Sequence, residues 1–403
     1  MKYSSVGKAI EAIARGEFVL VVDDEDRENE GDLIVAAEKV TPEHIAFMVR
    51  YTSGLICLPM TGERLDELGL PLMVLENTDS HKTAFTVSID YAASTTTGIS
   101  AADRAATIRA ATNPLTTAHD FHRPGHIFPL RYQKGGVIVR RGHTEAAVDL
   151  ARLAGLSPAG VLCEVVSDDG SMTRGRDLAE FAESHDIPIM TIDDLVNFRW
   201  RTEALVSRDA EATIPTAFGD FRVFGYRSLA SNSEHLALMF GEVAGKEDVL
   251  TRVHSVCVTG DVFGSRRCDC GVQLREAMRR IAAEGEGIIV YNPTHEGRGI
   301  GLVDKLAAYR LQEQGLDTVE ANAEMGHAAD NRHYGIDAQI LNDLKVSSVR
   351  LLTNNPDKIE QLTALGVDVT KREPLWVGEN GYNRFYLETK ATKLGHIVDE
   401  AGS

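Results

Sequence analysis

The sequence holds no run of about 18 apolar residues, so no segment of its 403 residues reads as a membrane-spanning helix. The stretch Met1–Gly16 carries acidic groups and no continuous apolar core, and a secretion signal is not expected. Net basic character is missing too. The formal charge is −18, spread along the chain, which argues against nucleic acid or an anionic membrane as the main partner. Cysteine is scarce: five residues, three of them in one cluster, suit reduced thiols and a metal better than a disulfide framework. These absences point to a cytoplasmic protein.

What is present is a hydrophobic fraction of 43%, in a chain longer than a single core usually supports. Two domains are expected, 1–201 and 202–403, with the seam in the charged stretch Thr202–Thr213, which shows no core face. Apolar runs alternating with helical spacing predict an α/β chain of the α+β type, each domain a mixed sheet covered by helices.

In the first half, Gly7–Arg15 has helical spacing and Phe18–Val22 reads as a buried parallel strand. Directly after it, Asp23–Asp32 (DDEDRENEGD) packs seven carboxylates around one arginine, where open α/β sheets place ligand loops. A solvated acidic loop is the bland alternative; an oxygen-rich loop pinned between two apolar strands also suits magnesium. In RRGHTEAAVDLARLAG, Ala147, Leu150, Ala151 and Ala154 share one helical face. Arg140, Arg141, His143 and Thr144 then sit at the helix N-terminus, which favours phosphate. A capping Thr144 would explain Thr144 alone. Glu164 is a lone carboxylate in an apolar strand, where burial would raise its pKa and fit it for proton transfer.

In the second half, RVHSVCVTGDVFGSRRCDCG brings Cys257, Cys268 and Cys270 within one strand and turn. Three thiolates suggest zinc, with an open fourth position for hydrolysis unless His254 closes the shell; a set of buried reduced thiols is the alternative. A hairpin is expected over Thr213–Tyr226, turning at Gly219-Asp220. HEGRGIGL is a glycine-rich turn without the Lys-Ser/Thr of a P-loop, and Arg298 there suits a polyphosphate. Asp330 and Arg332 precede a helix, and RLLTNNPDK offers Lys358 and backbone N–H groups at another strand-to-helix junction.

Two resemblances follow. DDEDRENEGD, SGLICLPM with Cys57, TTGISAADRAATIRA, RPGHIFPLR, RRGHTEAAVDLARLAG and PAGVLCEVV, in this order, resemble 3,4-dihydroxy-2-butanone-4-phosphate synthase over residues 1–200. That family converts ribulose 5-phosphate to dihydroxybutanone phosphate and formate. The resemblance implies that Glu28 and His143 hold magnesium or manganese. Arg27, Glu28, Asp32, Arg140, Arg141, Gly142, His143, Thr144 and Glu164 would bind the sugar phosphate, with His126 and Glu164 transferring protons. RVHSVCVTGDVFGSRRCDCG, HEGRGIGL, LQEQGLDTVEAN, ADNRHYGIDAQIL, RLLTNNPDK and ETKATKLGH resemble GTP cyclohydrolase II over 205–403. That family opens the guanine imidazole ring of GTP, releasing formate and pyrophosphate. By this resemblance Cys257, Cys268 and Cys270 bind zinc, and the GTP contacts are Arg252, Val253, His254, Ser255, Val256, Gln273, Glu296, Gly297, Arg298, Thr318, Thr353 and Lys358. Tyr309 lies near the base, Asp330 accepts a proton and Arg332 is the family's proposed nucleophile at the α-phosphate.

Three positions depart from that second pattern: Val256 where Glu is usual, His295 where Gln is commoner, and Lys345 where glycine is usual. Together the halves resemble the fused bifunctional enzymes of riboflavin biosynthesis, which implies a homodimer acting on ribulose 5-phosphate and GTP. The alternative is that only the first half is active and the second is a degenerate nucleotide-binding or assembly module.

Overall fold

A computed structural model of the chain describes residues 3–24 and 27–398; Glu25 and Asp26 of the acidic stretch lie outside the described residues. The chain divides into two units, Met1–Arg199 and Trp200–Ser403, each built on one seven-stranded mixed sheet with helices around it.

The strands of the first unit are β1 (Val19–Val22), β2 (Gly31–Ala36), β3 (Cys57–Met60), β4 (Ile89–Tyr91), β5 (Phe121–Arg131), β6 (Gly160–Glu164) and β7 (Ile189–Thr191), in the order β4-β5-β3-β6-β2-β1-β7. Continuous apolar runs make β1 and β2 buried throughout. β1 runs parallel to β7 but antiparallel to β2, so the acidic stretch is a hairpin connection and not the loop of a parallel sheet. Residues 23–30 are too few for a parallel crossover, which takes roughly a dozen. The antiparallel pairing of β2 with β6 sets Asp32 directly opposite Glu164 at one end of the sheet.

The helix His143–Leu153 is buried on nearly all sides of its first turns, from His143 to Ala151. Gly142 is its N-cap, with no side-chain cap, so Thr144 does not cap it. Within the helix Asp149 is fully buried and accepts from Tyr132 Oη (3.0 Å), the Val137 N–H (2.9 Å) and Arg199 Nη1 (2.7 Å).

In the second unit the strands are β8 (Val206–Thr216), β9 (Gly219–Ser228), β10 (Glu234–Phe240), β11 (Val249–Ser255), β12 (Gly287–Asn292), β13 (Val349–Leu352) and β14 (Val369–Glu373), ordered β14-β13-β11-β12-β10-β9-β8. The charged stretch expected as a seam is largely strand: β8 starts at Val206 and forms the sheet edge, exposed along most of its length. An edge strand with one solvated side needs no apolar alternation, and charges such as Arg208, Asp209 and Glu211 keep the edge from pairing with another chain. The hairpin turns at Ala217-Phe218, two residues before the expected place, because Thr216 pairs with Gly219. Phe221, Leu250, Ala277, Ile281, Ile289 and Leu352 form the core between this sheet and the helix Cys270–Glu284.

β11 to β14 are parallel, and β11 lies between β12 and β13. The crossover from β11 leads to β12 on one side, and the crossover from β13 leads to β14 on the other. Such a switch point opens a crevice at the carboxyl ends of the strands, where ligands bind.

Candidate active sites

The first site lies where β1 ends, β2 begins and β6 ends, beside the N-terminus of the helix His143–Leu153. Arg27, Glu28, Glu30, Asp32, Cys57, Thr83, Phe85, Leu130, Arg140, His143, Thr144, Leu162 and Glu164 line a cleft of about 580 Å³. Asp23, Glu28 and His143 could hold a metal ion, each offering an atom within 4.8 Å of the others. Asp23 is committed to its own loop. Its oxygens accept from Arg27 Nη1 (2.7 Å) and from the N–H groups of Glu28 (3.2 Å) and Glu30 (2.9 Å). His143 Nε2 donates to the Val21 carbonyl at 3.2 Å. That bond fixes the ring so that Nδ1 faces Glu28 Oε2 and Asp32 Oδ1, each 3.7 Å away.

The electrostatics of this trio follow from burial. Burial works against the Glu28 carboxylate, but His143 and Arg27 outweigh it and hold its pKa at about 2. Burial pushes Asp32 up to about 7, against the pull of His143, and its Oδ1 has no hydrogen-bond partner. In His143, burial is overcome by Asp32 and Glu28, which raise it to about 9. A buried imidazole facing two carboxylates, one oxygen left without a donor, is a donor set that fits a hard divalent cation.

Glu164 corrects the expectation from sequence. It stands half-buried at the end of β6 and accepts from Ser53 Oγ at 2.6 Å, whereas the carboxylate the fold encloses is Asp32. The arginine pair also divides. Arg140 reaches the cleft and binds the buried Glu145 (2.6 Å), whereas Arg141 bonds Asp193 (2.5 Å) and lines a different hollow with Tyr3, Thr191 and Ile192. Gly142 contributes the helix N-cap. His126 is not among the cleft residues; its Nδ1 bonds Asp90 Oδ2 at 2.7 Å on β5. Sequence reasoning missed Thr83 and Phe85, which no local spacing connects to the acidic loop.

The second site fills the crevice at the ends of β11, β12 and β13, a cleft of about 1030 Å³. Cys257 follows β11, Cys268 closes the loop and Cys270 opens the helix Cys270–Glu284. Their sulfurs lie within 4.8 Å of one another, and among the described residues no fourth ligand joins them. His254 is turned away: its Nε2 bonds Asp261 Oδ2 at 3.0 Å. The site is therefore open. Two glycines let the backbone close around the sulfurs, since a Cβ on Gly260 would lie 2.9 Å from Cys268 Sγ and one on Gly271 only 2.1 Å from the Gly260 carbonyl. Cys268 and Cys270 hold the Cys257 thiol well below its usual range, a sign of thiolate character.

Around the sulfurs stand buried cations. Arg252 donates to Leu352 O (2.7 Å) and Gln273 Oε1 (2.6 Å), and burial lowers its pKa. Lys358 donates to Val253 O (2.6 Å); burial, then Arg252 and Arg332, push it well below its usual range. With Arg298 and Lys390 also in the wall, the cleft suits a polyanion. Arg332 makes a bidentate pair with Asp330 and donates to Ser255 Oγ (3.2 Å). Burial opposes its charge, but Tyr334 and Asp330 keep it raised.

Other expected contacts sort clearly. His254, Ser255, Val256, Gln273, Gly297, Arg298, Tyr309, Thr318 and Thr353 line the cleft; Val253 and Glu296 do not. Glu296 is buried and spends its oxygens on the Val258 N–H (2.7 Å) and Lys305 (2.6 Å). Tyr309 Oη lies 3.2 Å from Thr259 Oγ1. Sequence reasoning missed Lys305, Asn322 and His396, which reach the cleft from separate elements.

Residues 7–198 match the family of 3,4-dihydroxy-2-butanone 4-phosphate synthase and residues 207–374 match GTP cyclohydrolase II. The chain is 56% identical over 401 residues to the riboflavin biosynthesis protein RibBA of Mycobacterium avium (strain 104), covering 98% of this chain and 94% of that one. It is 54% identical over 397 residues to RibBA of Bacillus mycoides (strain KBAB4), covering 98% and 100%. A solved structure of RibBX from A. baumannii, described as a two domain 3,4-dihydroxy-2-butanone 4-phosphate synthase, aligns with a TM-score of 0.69 at 38% identity, covering 87% of this chain and 94% of that one. Two distinct clefts in tandem, matched family by family and end to end by such relatives, mean that the chain belongs to the bifunctional riboflavin biosynthesis family, 3,4-dihydroxy-2-butanone 4-phosphate synthase joined to GTP cyclohydrolase II.

Proposed function

We propose that this chain catalyses both reactions of its family. Residues 1–201 convert D-ribulose 5-phosphate to 3,4-dihydroxy-2-butanone 4-phosphate and formate. Residues 202–403 hydrolyse GTP to 2,5-diamino-6-ribosylamino-4(3H)-pyrimidinone 5′-phosphate, formate and pyrophosphate. The observation that carries this reading is that each matched region holds its own metal-competent cluster inside a cleft, one of oxygen and imidazole, the other of three sulfurs.

In the first cleft Glu28 and His143 hold magnesium or manganese, which when bound polarises the ketose oxygens. Arg140 and the helix N-terminus at Thr144 take the phosphate. Asp32 and Glu164, opposite each other across β2 and β6, move protons. In the second cleft Cys257, Cys268 and Cys270 hold zinc, which when bound activates water for hydrolysis. Arg298, Arg332 and Lys358 clamp the triphosphate, Tyr309 lines the base end, and Asp330 takes a proton while orienting Arg332. The exposed apolar stretch Leu72–Leu75 supports a homodimer, since a second copy would remove it from water.

A second reading, that residues 202–403 bind nucleotide without turning it over, is favoured by Val256 in the cleft wall and by the two-domain relative described only as a synthase. Formate release separates them. Purified chain with ribulose 5-phosphate and magnesium, and separately with GTP and zinc, yields formate in both on the first reading; formate from the sugar alone supports the second.

A further inference from the structure

Lys305 lies in the first turn of the helix Leu302–Gln312, is only 9% exposed, and has no role assigned by the reading above, on which this inference rests. Its Nζ donates to Cys257 Sγ at 3.0 Å and to Glu296 Oε1 at 2.6 Å. Glu296 is itself fixed, because its other oxygen accepts from the Val258 N–H at 2.7 Å, next to Cys257 in the chain. The ammonium thus sits in a closed frame: the strand end at Cys257, the glycine-rich turn at Glu296 and the helix carrying Lys305. It also lies 5.8 Å from the centre of the Tyr309 ring.

Three thiolates are strong electron donors, and a zinc ion held by them is a weaker Lewis acid than one held by neutral imidazoles. Hydrogen bonds to a ligating sulfur withdraw part of that charge. Cys257 already receives neutral donors, the Gly260 N–H at 3.3 Å and the Thr259 hydroxyl at 3.5 Å. A charged donor does more. We propose that Lys305 is a positioning residue that tunes the metal through Cys257: its ammonium polarises this one sulfur and keeps a three-thiolate centre acidic enough for hydrolysis. Glu296 aims it.

The test uses the full chain loaded with cobalt in place of zinc, comparing wild type with Lys305→Met, Lys305→Gln and Lys305→Arg. Lys305→Met should still hold one metal per chain while the sulfur-to-cobalt charge-transfer band moves to lower energy. With zinc, kcat for GTP-dependent formate release should fall about tenfold or more and KM for GTP should stay within about twofold. Lys305→Gln, which keeps a donor but no charge, should behave like Met and decides the matter if the Met variant fails to hold metal. Lys305→Arg should keep the band within a few nanometres of wild type and recover part of kcat. Formate from ribulose 5-phosphate, made elsewhere on the same chain, reports equal loading of protein. An unmoved band in the Met and Gln variants overturns the proposal, as does a raised KM with unchanged kcat, which would make Lys305 a nucleotide contact. If the wild type turns over no GTP, the proposed hydrolysis fails while the band still reads the action of Lys305 on Cys257. A wild type that takes up no cobalt overturns both.

Discussion

At the scale of single residues, position and not type decides what a side chain does. Gly260 is a small residue whose missing Cβ leaves room for two sulfurs. Gly260→Ala should lower bound zinc at least tenfold, read by metal analysis after dialysis, while far-ultraviolet circular dichroism stays unchanged. His235 on β10 is 1% exposed, with Nδ1 unpartnered, and burial lowers its pKa to about 4. A histidine held neutral in the fold carries no cost above its unfolded value of about 6.5 and its full cost below about 4. Stability of the second unit should therefore fall by about 3 kcal/mol between those limits, and His235→Gln should flatten that slope in urea titrations at pH 7, 5.5 and 4.5. Lys345 explains one departure from the family pattern: it takes a left-handed φ of 58° just past a helix end, where glycine is strain-free and lysine costs about 1 kcal/mol. The exchange of Asp32 for Glu164 as the buried carboxylate belongs here too. Both were visible as acids in or beside apolar runs, but which one burial would reach depended on where β6 ends.

At the scale of elements, the helix His143–Leu153 shows how a functional end is anchored by a structural middle. Its first turn presents His143 and Thr144 to the cleft, while Asp149, one turn on, ties it to Tyr132, the Val137 N–H and Arg199. Asp149→Ala leaves Arg199 buried without its carboxylate and should cost about 3–5 kcal/mol. The expected result is a lower urea midpoint for the first unit and weaker manganese binding by electron paramagnetic resonance; an unchanged midpoint would show the network to be dispensable. Helices and central strands were legible from sequence because their burial is periodic or continuous. The edge strand β8 was not, because a strand with one wet side looks like a linker. The β1–β2 connection was legible as a ligand loop but not as a hairpin, since strand direction is set by partners distant in sequence.

For the whole molecule, the two clefts belong to separate units with separate donor chemistry, so their losses should be separable. Cys268→Ser should abolish GTP-dependent formate release and leave the ribulose 5-phosphate reaction within about twofold of wild type; a parallel loss of both would show the activities to be coupled. Among the described residues no helix is long and apolar enough to cross a membrane. The sequence by itself determined the two-part organisation, the family, the three sulfurs, and the acidic loop with its histidine, because these are carried by residues close together in the chain or by motifs in fixed order. Only the tertiary structure decided that His254 turns to Asp261, that Arg140 and Arg141 part company, that Asp32 is the desolvated acid, and that Lys305 and Glu296 meet at Cys257. Each depends on side-chain direction and burial set by elements far apart in sequence, and neither quantity exists until the sheets have formed.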